Sequence, residues 1–404
     1  MHRSGSILAP LNRVSDSAFP PHTGSSRKKI AFFKQGVFSY TNVRTAEQLR
    51  ACFPGYEVEE FDVLGDLVHR HPFVRALSIA HTIRLYGRRL LWQGLPLAQA
   101  SFRTPYLFHR LHEMICEKFT PRAHEFAFTF QTQSLFDASL PGVPHFVYTD
   151  HTHLANAQYP GFPADELFPQ SWVNLEREIY QNARHIFVMS DHVRTSLHED
   201  YGVESAHTST VHAGSNIDTT PAPLENDGFR NRTIVFIGLE WERKGGPTLL
   251  TAFTRLRAEM PDVRLIILGC QPAGLPPGCE AHGRVSREEV KRWLSRASLL
   301  CLPTRVEPFG IAVVEAFAHR LPVVASNIGA MPGIVQQGVS GLLVPPDDPA
   351  ALAAALRELL TDPEKCRRFG EAGHAHVREH YTWEAVGAKI RAGIEAALHT
   401  PAGA

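Results

Sequence analysis

Short apolar runs alternate with longer amphipathic stretches through most of the chain. In the C-terminal half, the apolar runs predict buried strands at 233–238, 263–268, 299–302 and 321–325. The stretches between and after them predict helices at 247–260, 288–297, 310–319 and 350–360. The N-terminal half repeats the alternation, with strands predicted at 29–33, 56–61, 126–130, 145–149 and 183–190. This order is typical of an α/β fold built from doubly wound parallel sheets.

The length of the chain sets the number of domains. Its 404 residues are too many for one hydrophobic core and enough for two. We expect an N-terminal domain over 29–218 and a C-terminal domain over 233–382, joined by a linker at 219–232. Residues 1–28 are rich in Ser, Pro, Gly and Arg and are predicted to be disordered. A last helix is predicted at 383–400.

The most specific pattern is the stretch from Thr304 to Gly329, T-R-V-E-P-F-G-I-A-V-V-E-A-F-A-H-R-L-P-V-V-A-S-N-I-G. Glu307 lies in a loop, and Glu315 lies in the second turn of the helix predicted after it. The N–H groups of residues 309–311 would be unpaired donors at the start of this helix. Carboxylates accept hydrogen bonds from hydroxyls and N–H groups donate to them, so the combination suits a polyhydroxylated ligand.

A second candidate site follows the strand predicted at 233–238. Arg243 and Lys244 stand immediately before a predicted helix. Two cations beside free helix N–H groups and the positive end of the helix dipole form an anion site. We expect these residues to bind phosphate.

Polar side chains also follow the strand predicted at 145–149. Asp150, His151 and His153 lie at its carboxyl end, the edge where an open α/β sheet places its ligand. The two histidines are two residues apart and could point the same way as metal ligands. No third ligand at metal spacing follows, so no metal site is expected.

The run from Thr304 to Gly329 resembles the signature of retaining nucleotide-sugar glycosyltransferases of family 4, which have the GT-B fold. The resemblance implies two Rossmann-like doubly wound domains that face a central cleft, with the last helix packed back onto the N-terminal domain. It implies transfer of a sugar from a nucleoside-diphosphate sugar to an acceptor hydroxyl of a glycan, glycolipid or small molecule. The sequence contains no Asp-x-Asp motif, so neither a metal ion nor another cofactor is expected.

The resemblance also implies roles for the candidate residues. Arg243 and Lys244 would hold the donor diphosphate, Glu307 the sugar hydroxyls and Glu315 the ribose. Asp150 or His151 would lie at the sugar from the opposite domain, and the choice between these two stays open. The other donor-binding candidates are loop and helix-start positions: Gly36, Gly238, Arg284, Val285, Pro308, Phe309, Gly310 and Ile311.

Other functions remain open on the residues alone. The same fold serves other nucleotide-sugar enzymes, such as epimerases or hydrolase-like proteins, and a chain of this kind can also be a non-catalytic scaffold that binds sugar nucleotides. Retention of Arg243, Lys244, Glu307 and Glu315 favours an enzyme.

A basic segment interrupts the N-terminal half. Residues 67–112 contain seven arginines and no Asp or Glu. Within this segment, the spacing of Ala76, Ile79, Ile83, Tyr86 and Leu90 predicts a helix with one apolar stripe, with arginines on the opposite face. Three interpretations remain: a solvated basic face, recognition of an anionic acceptor, or peripheral contact of residues 70–110 with a membrane.

Composition excludes several other classes. Lys plus Arg and Asp plus Glu balance at 41 each, so no nucleic-acid partner is expected. The six cysteines form no C-x-x-C pair, which argues against a zinc site or a disulfide framework. The sequence has no apolar run of membrane-spanning length and no signal-peptide pattern. A cytoplasmic protein is therefore expected, and peripheral association with the inner face of the membrane is an open alternative.

Overall fold

The computed structural model describes residues 28–38, 40–216 and 228–399. The predicted disordered segment (apart from residue 28), the first part of the predicted linker and the last residue of the predicted final helix lie outside the described residues. Twelve strands are described: β1 Lys29–Lys34, β2 Glu57–Asp62, β3 Phe126–Thr132, β4 His145–Thr149, β5 His185–Val188, β6 Thr208–Thr210, β7 Thr233–Ile237, β8 Arg264–Leu268, β9 Cys279–Ala281, β10 Leu299–Leu302, β11 Val323–Ser326 and β12 Gly341–Val344.

The α-helices lie between and after these strands. They are α1 Thr41–Cys52, α2 Pro72–Trp92, α3 Leu97–Ser101, α4 Pro105–Phe119, α5 Gln170–Asn182, α6 Asp191–Glu199, α7 Gly246–Glu259, α8 Arg287–Leu294, α9 Ile311–Ala318, α10 Met331–Ile334, α11 Pro349–Leu360, α12 Pro363–His380 and α13 Trp383–His399. Among the described residues, no helix combines the length and apolar character needed to cross a bilayer.

Two six-stranded sheets form the framework. The N-terminal sheet has the order β2-β1-β3-β4-β5-β6, and the C-terminal sheet has the order β12-β11-β10-β7-β8-β9. Every pair of neighbouring strands is parallel. Helices cover the sheet faces, so the central strands are buried on both sides and are mainly apolar, whereas β2, β6 and β9 are only partly buried and contain polar residues. The predicted doubly wound α/β architecture is confirmed.

The two halves are in contact through the end of the chain. Helix α13 packs against α1 and β5 of the N-terminal sheet. The Arg184 Nε donates to the carbonyl of Ala397 at 2.7 Å, and the Tyr381 ring stacks on His212 with centroids 4.4 Å apart. A side chain at Gly393 would place its Cβ 2.5 Å from the ring of Phe187, so the backbone of α13 lies directly on β5.

Helix α2 buries a face that only partly matches the one that the sequence predicts. Its buried residues are Val74, Ser78, Thr82 and Tyr86. Of the predicted stripe, Tyr86 is buried and Ile79 and Leu90 are half-buried, whereas Ala76 and Ile83 are exposed. Two hydroxyl groups explain how polar residues can face inward here. Thr82 Oγ1 donates to the carbonyl of Ser78 at 2.6 Å, and the Tyr86 hydroxyl donates to the carbonyl of Arg103 at 2.5 Å. Apolar residues occur around most of this helix, so their spacing alone does not identify its inner face.

Candidate active site

The strand order of the C-terminal sheet creates a crevice. Chain order reverses between β7 and its neighbour β10, because β8 and β9 lie on one side and β11 and β12 on the other. In open α/β sheets, ligands bind outside the carboxyl ends of the strands at such a switch point. The loop after β7 carries Arg243 and Lys244, and the loop after β10 carries Glu307. The fold therefore brings the two motifs to one place.

Lys244 and Glu307 form an ion pair across this crevice. The Lys244 ammonium donates to a carboxylate oxygen of Glu307, and the two side chains are only 14% and 6% exposed. Arg243 joins the same loops, because its Nη1 donates to the carbonyl of Val306 at 2.7 Å. Its Nε donates to Glu240. A cation and a carboxylate are thus held together, largely shielded from water, where a ligand could exchange with either partner.

The turn before α7 requires glycine. Gly245 has φ of 75°, and a Cβ there would lie 1.8 Å from the carbonyl oxygen of Pro303. The backbone beside Lys244 therefore lies against the loop that follows β10. Gly238 serves the same region, since a Cβ there would lie 3.0 Å from Lys244 Cγ. The two glycines let the lysine side chain lie along the crevice.

The start of α9 offers hydrogen-bond donors beside Glu307. Gly310 has φ of 99° and precedes α9, and its Cβ position is filled by Met331 Cε at 2.1 Å. Within the described residues, the N–H groups of Phe309 and Gly310 make no backbone hydrogen bond outside regular elements. Ile311 begins the helix, and its N–H belongs to the first turn, where helices leave donors unpaired. The Pro308 carbonyl faces the N-terminal domain and accepts from Ser190 Oγ at 3.4 Å.

Glu315 lies one turn farther along α9, beside α8. Burial raises the pKa of its carboxyl to about 7, although the charges of Arg287 and Lys291 oppose that rise in pKa. The group is therefore held between its neutral and ionised forms near neutral pH. Hydroxyl donors from a ligand would favour the ionised form.

His151 and Asp150 face this crevice from the end of β4. Burial, with a smaller contribution from the charge of Glu307, raises the pKa of Asp150 to about 6. Burial, with smaller contributions from cations that include Arg243, lowers the pKa of His151 to about 3. Both residues follow the last residue of β4, Thr149, and so lie at the carboxyl edge of the N-terminal sheet.

The tautomer of His151 follows from its neighbour. The Asn156 side-chain nitrogen lies 3.2 Å from His151 Nε2, and an amide nitrogen can only donate. The neutral ring therefore carries its proton on Nδ1. This atom is buried and has no hydrogen-bond partner among the described residues. It is therefore a buried donor without an acceptor in the described part of the ligand-free protein.

The loop that carries His151 is held by a buried carboxylate that the sequence analysis missed. Glu176 of α5 accepts from the N–H of His153 at 3.0 and 3.1 Å and from Ser134 Oγ at 2.9 Å. The ring of His153 is also occupied, because its Nε2 accepts from the Phe168 N–H at 2.7 Å. His153 therefore has a structural role. A Glu inside an amphipathic helix gives no signal in the sequence that it points inward.

The remaining predicted residues lie in the loops after β1 and β9. The loop of Gly36 is held against α1, because Asn42 Nδ2 donates to the Gly36 carbonyl at 2.8 Å. Arg284 is exposed and Val285 is half-buried. Among the described residues, no group of three His, Cys, Asp or Glu side chains could hold a metal ion.

The region around the crevice is similar to a known family. Residues 226–376 match the family described as "Glycosyl transferases group 1". The matched region contains Arg243, Lys244, Glu307 and Glu315, which are the four charged candidates of this domain.

Curated relatives match over part of their length. A D-inositol 3-phosphate glycosyltransferase of Corynebacterium urealyticum is 30% identical over 268 residues, which are 59% of this chain and 63% of the relative. An MMP alpha-(1->4)-mannosyltransferase of Mycolicibacterium hassiacum is 29% identical over 239 residues, 56% of this chain and 57% of the relative. The chain thus spans about half to two thirds of the length of the curated relatives it matches.

Solved structures match over nearly the whole chain. The sucrose-phosphate synthase of Thermosynechococcus elongatus superposes with a TM-score of 0.67 at 19% identity, covering 92% of this chain and 99% of that one. The Anabaena protein HepE, in complex with UDP and glucose, gives a TM-score of 0.63 at 16% identity, covering 91% and 100%. At these identities the likeness establishes the fold, and the chain has the GT-B fold.

Proposed function

We propose that this protein is a retaining glycosyltransferase of the family 4 type. It transfers a sugar from a nucleoside-diphosphate sugar to an acceptor hydroxyl. The observation that carries the proposal is the buried Lys244–Glu307 pair at the switch point of the C-terminal sheet, opposite Asp150 and His151. The group 1 match of this domain supports it, as does the UDP bound by HepE, a protein of the same fold.

When the donor binds, Lys244 and Glu307 each give up the other as partner and bind the donor instead. A diphosphate is a stronger ligand for Lys244 than a single carboxylate, and Arg243 adds a second cation beside it. Glu307, released from the ammonium, accepts hydrogen bonds from the sugar hydroxyls. The N–H groups at the start of α9 donate to the remaining oxygens. Glu315 in the next turn accepts from the ribose.

The chemical step breaks the bond between the anomeric carbon and the diphosphate. The leaving diphosphate gains negative charge, and Lys244 and Arg243 stabilise it from fixed positions, a contribution of several kcal/mol in a site of this kind. The acceptor oxygen bonds to the anomeric carbon on the face that the diphosphate leaves, and the acceptor proton passes to a diphosphate oxygen. This course retains the anomeric configuration.

His151 and Asp150 complete the site from the N-terminal domain. The Nδ1–H of His151 has no partner among the described residues and donates to a hydroxyl of the donor sugar. Asp150 lies beside it and orients the sugar or the acceptor. The cations replace a metal ion in this scheme, so transfer proceeds in the presence of a chelator.

Two variants of the ion pair test this function. Lys244→Ala and Glu307→Gln should each lower transfer at least tenfold, because each removes a group that contacts the donor. A thermal-shift screen with UDP-, GDP-, ADP- and dTDP-sugars identifies the donor, since a ligand that binds only the folded state raises the melting temperature. Release of nucleoside diphosphate, with EDTA present, then gives the rate, and NMR of the product gives the anomeric configuration.

Glu242→Gln is the matched control. Glu242 is exposed in the same loop and should keep the activity of the unaltered protein. Unchanged rates in Lys244→Ala and Glu307→Gln would remove both residues from the site. Binding of a sugar nucleotide without turnover by the unaltered protein, over a panel of acceptor alcohols and glycans, would instead favour a scaffold.

A further inference from the structure

The outer face of α2 is apolar and is not covered by any described residue. Phe73, Leu77, Ala80, Arg84, Gly87 and Leu91 follow one another at spacings of four and three, so they lie in line on one side of the helix. Phe73 is 84% exposed and Leu91 is 83% exposed. Trp92, at the end of the helix, is 84% exposed. Single exposed apolar residues are common, but a row along 21 residues of helix is an interaction surface.

Arginines accompany this row. Arg75, Arg84 and Arg88 are exposed and form no ion pair with any described residue. The segment 67–112 contains seven arginines and no Lys, Asp or Glu, which gives it a formal charge of +7. The whole chain has a formal net charge of zero, so the rest of the chain carries −7. Within that segment, Arg70 pairs with Asp66 and Arg110 pairs with Glu113 and Glu117, so the unpaired surface charge is concentrated on α2.

A groove between α2 and α4 extends the basic surface. Its volume is about 540 Å³, and α2 contributes His81, Arg84 and Leu85 to its lining. From α4, Tyr106 stacks on His81 with ring centroids 4.5 Å apart and planes at 2°, and His109 lines the groove beside them. Arg110 and Glu113 complete the lining and form an ion pair with each other. The groove therefore presents aromatic faces and the unpaired Arg84 immediately next to the apolar row.

We propose that α2 and this groove dock on the surface of an anionic lipid bilayer. The helix lies in the plane of the interface. Phe73, Leu77 and Leu91 enter the boundary between headgroups and acyl chains, and Trp92 anchors the end of the helix at headgroup level. Arg84 and Arg88 extend from the same face to the lipid phosphates, since a long arginine stem can cross apolar surroundings while its guanidinium stays at the phosphates.

Charge decides between a bilayer and a second copy of the chain. A symmetric pairing of two α2 helices would bring Arg75, Arg84 and Arg88 of both copies together. Like charges at that distance repel, and α2 itself carries no carboxylate to offset them. An anionic bilayer complements both features, because it offers phosphates to the arginines and hydrocarbon to the apolar side chains.

The inner face of α2 connects this surface with the candidate active site. Tyr86 donates to the Arg103 carbonyl at 2.5 Å, and the Arg103 guanidinium lies 4.9 Å from the Phe168 ring centroid. The charge of Arg103 also lowers the pKa of His151, so Arg103 lies near the cleft. If the proposed function holds, docking would bring the acceptor side of the cleft toward membrane-bound acceptors.

Vesicle flotation of the full-length protein tests the docking. The vesicles contain equal parts phosphatidylcholine and phosphatidylglycerol, or phosphatidylcholine alone. We expect binding to the anionic vesicles and at least tenfold weaker binding to the neutral ones. Raising the salt from about 0.1 M to about 1 M should release most of the protein, because the screening length falls from about 10 Å to about 3 Å.

Paired variants separate the two contributions. Arg84→Glu/Arg88→Glu should weaken binding at least tenfold, since each basic residue near such a surface contributes about fivefold. Phe73→Ser/Leu91→Ser should weaken binding in low salt and abolish the part that survives high salt. The matched controls lie in the other domain: Arg255→Glu and Val339→Ser change an exposed arginine and an exposed apolar residue and should bind as the unaltered protein does. A thermal melt confirms that each variant is folded.

Trp92 gives an independent signal. Its emission should shift to shorter wavelength on anionic vesicles, and the shift should be absent in Trp92→Phe. Equal binding to neutral and anionic vesicles, or no binding to either, would overturn the proposal. So would a dimer of the unaltered protein in solution that Phe73→Ser/Leu91→Ser dissociates, without vesicle binding. None of these measurements needs a sugar donor, so they succeed or fail independently of the proposed glycosyl transfer.

Discussion

The ligand-free fold favours the neutral form of the Glu315 carboxyl, whereas a ligand with hydroxyl donors would favour its ionised form. Its folded-state pKa is about 7, against an ordinary value of 4.5. Between these values the folded protein holds the proton and the unfolded chain has released it. Stability of the ligand-free protein therefore falls as pH rises through this window. Above this pH window, the folded protein carries a buried, ionised carboxylate that a hydrogen-bonding ligand would stabilise.

Glu315→Gln should reveal this conflict. At pH 8 the variant should melt at a higher temperature than the unaltered protein, by roughly 2–4 °C for each kcal/mol recovered. At pH 5 the difference should disappear, because the native carboxyl is then neutral as well. The same variant should raise the donor KM at pH 8 about tenfold, since it loses hydrogen bonds to a charged acceptor. Melting curves at both pH values and initial rates measure the two effects, and equal melting temperatures at pH 8 would contradict the first.

At the scale of single residues, candidate site residues could be predicted where they belong to a sequence motif. Lys244 and Glu307 each stand in a strand-loop-helix pattern, and the fold places them in contact. That contact itself could not be predicted, because it depends on which two strands become neighbours. No sequence pattern pointed to Asn156 or Glu176. They act by orienting His151 and its loop, and such support depends on burial in three dimensions.

The turn between β7 and α7 is the element on which the positions of Arg243 and Lys244 depend. Gly245 and Gly274 have nearly the same backbone, with φ of 75° and 69°, but a Cβ at Gly245 would meet Pro303 at 1.8 Å whereas a Cβ at Gly274 would meet nothing within 4 Å. Gly274→Ala should therefore cost about 1–2 kcal/mol for the left-handed backbone alone. Gly245→Ala should cost at least about 3 kcal/mol, because the contact with Pro303 adds overpacking.

Urea unfolding of the two variants measures the difference. Donor affinity should fall in Gly245→Ala and stay unchanged in Gly274→Ala, because only the first turn positions Lys244. Equal costs would mean that the loop after β10 moves freely away from the added methyl group, and that the crevice is more plastic than its contacts indicate.

Helices and strands could be predicted where the spacing of apolar residues follows one clear pattern. The central strands of both sheets are mainly apolar, and the sequence identified most strands within two residues. Helix α2 carries apolar residues around most of its circumference, so the predicted stripe only partly matches its buried face. Helix α12 was missed because it contains Gly370 and Gly373, which lower helix propensity. Tertiary contact explains them, since a Cβ at Gly370 would lie 1.8 Å from the carbonyl of Arg320, and one at Gly373 would lie 2.2 Å from the ring of Phe317.

At the scale of the whole molecule, the site depends on how the two sheets face each other. Three contacts cross the cleft near it. Ser190 donates to Pro308, Tyr159 lies against Gly329, and the Arg287 guanidinium lies over the Tyr40 ring at 3.3 Å from its centroid. The first two join backbone or buried groups. The third joins the side chain before α1 to the first side chain of α8. It is the contact that a substitution can remove most cleanly.

The Tyr40–Arg287 contact should hold the cleft closed during transfer. Closure excludes water from the departing diphosphate, so loss of the contact should favour hydrolysis of the donor over transfer. A partly exposed cation–π contact contributes about 0.5–1 kcal/mol. Tyr40→Ala should therefore raise the ratio of hydrolysis to transfer by about two- to fivefold, with little change in the affinity for the nucleotide, whose predicted contacts lie in the C-terminal domain.

Tyr40→Phe is the matched control, because it keeps the aromatic face that Arg287 contacts and should keep the native ratio. Both products can be measured in one reaction with a labelled donor sugar, as free sugar and as glycosylated acceptor. An unchanged ratio in Tyr40→Ala would mean that the buried contacts of Ser190 and Tyr159 suffice to close the cleft. Equal increases in Tyr40→Phe and Tyr40→Ala would assign the effect to the phenol hydroxyl, and the cation–π contact would then have no part in excluding water.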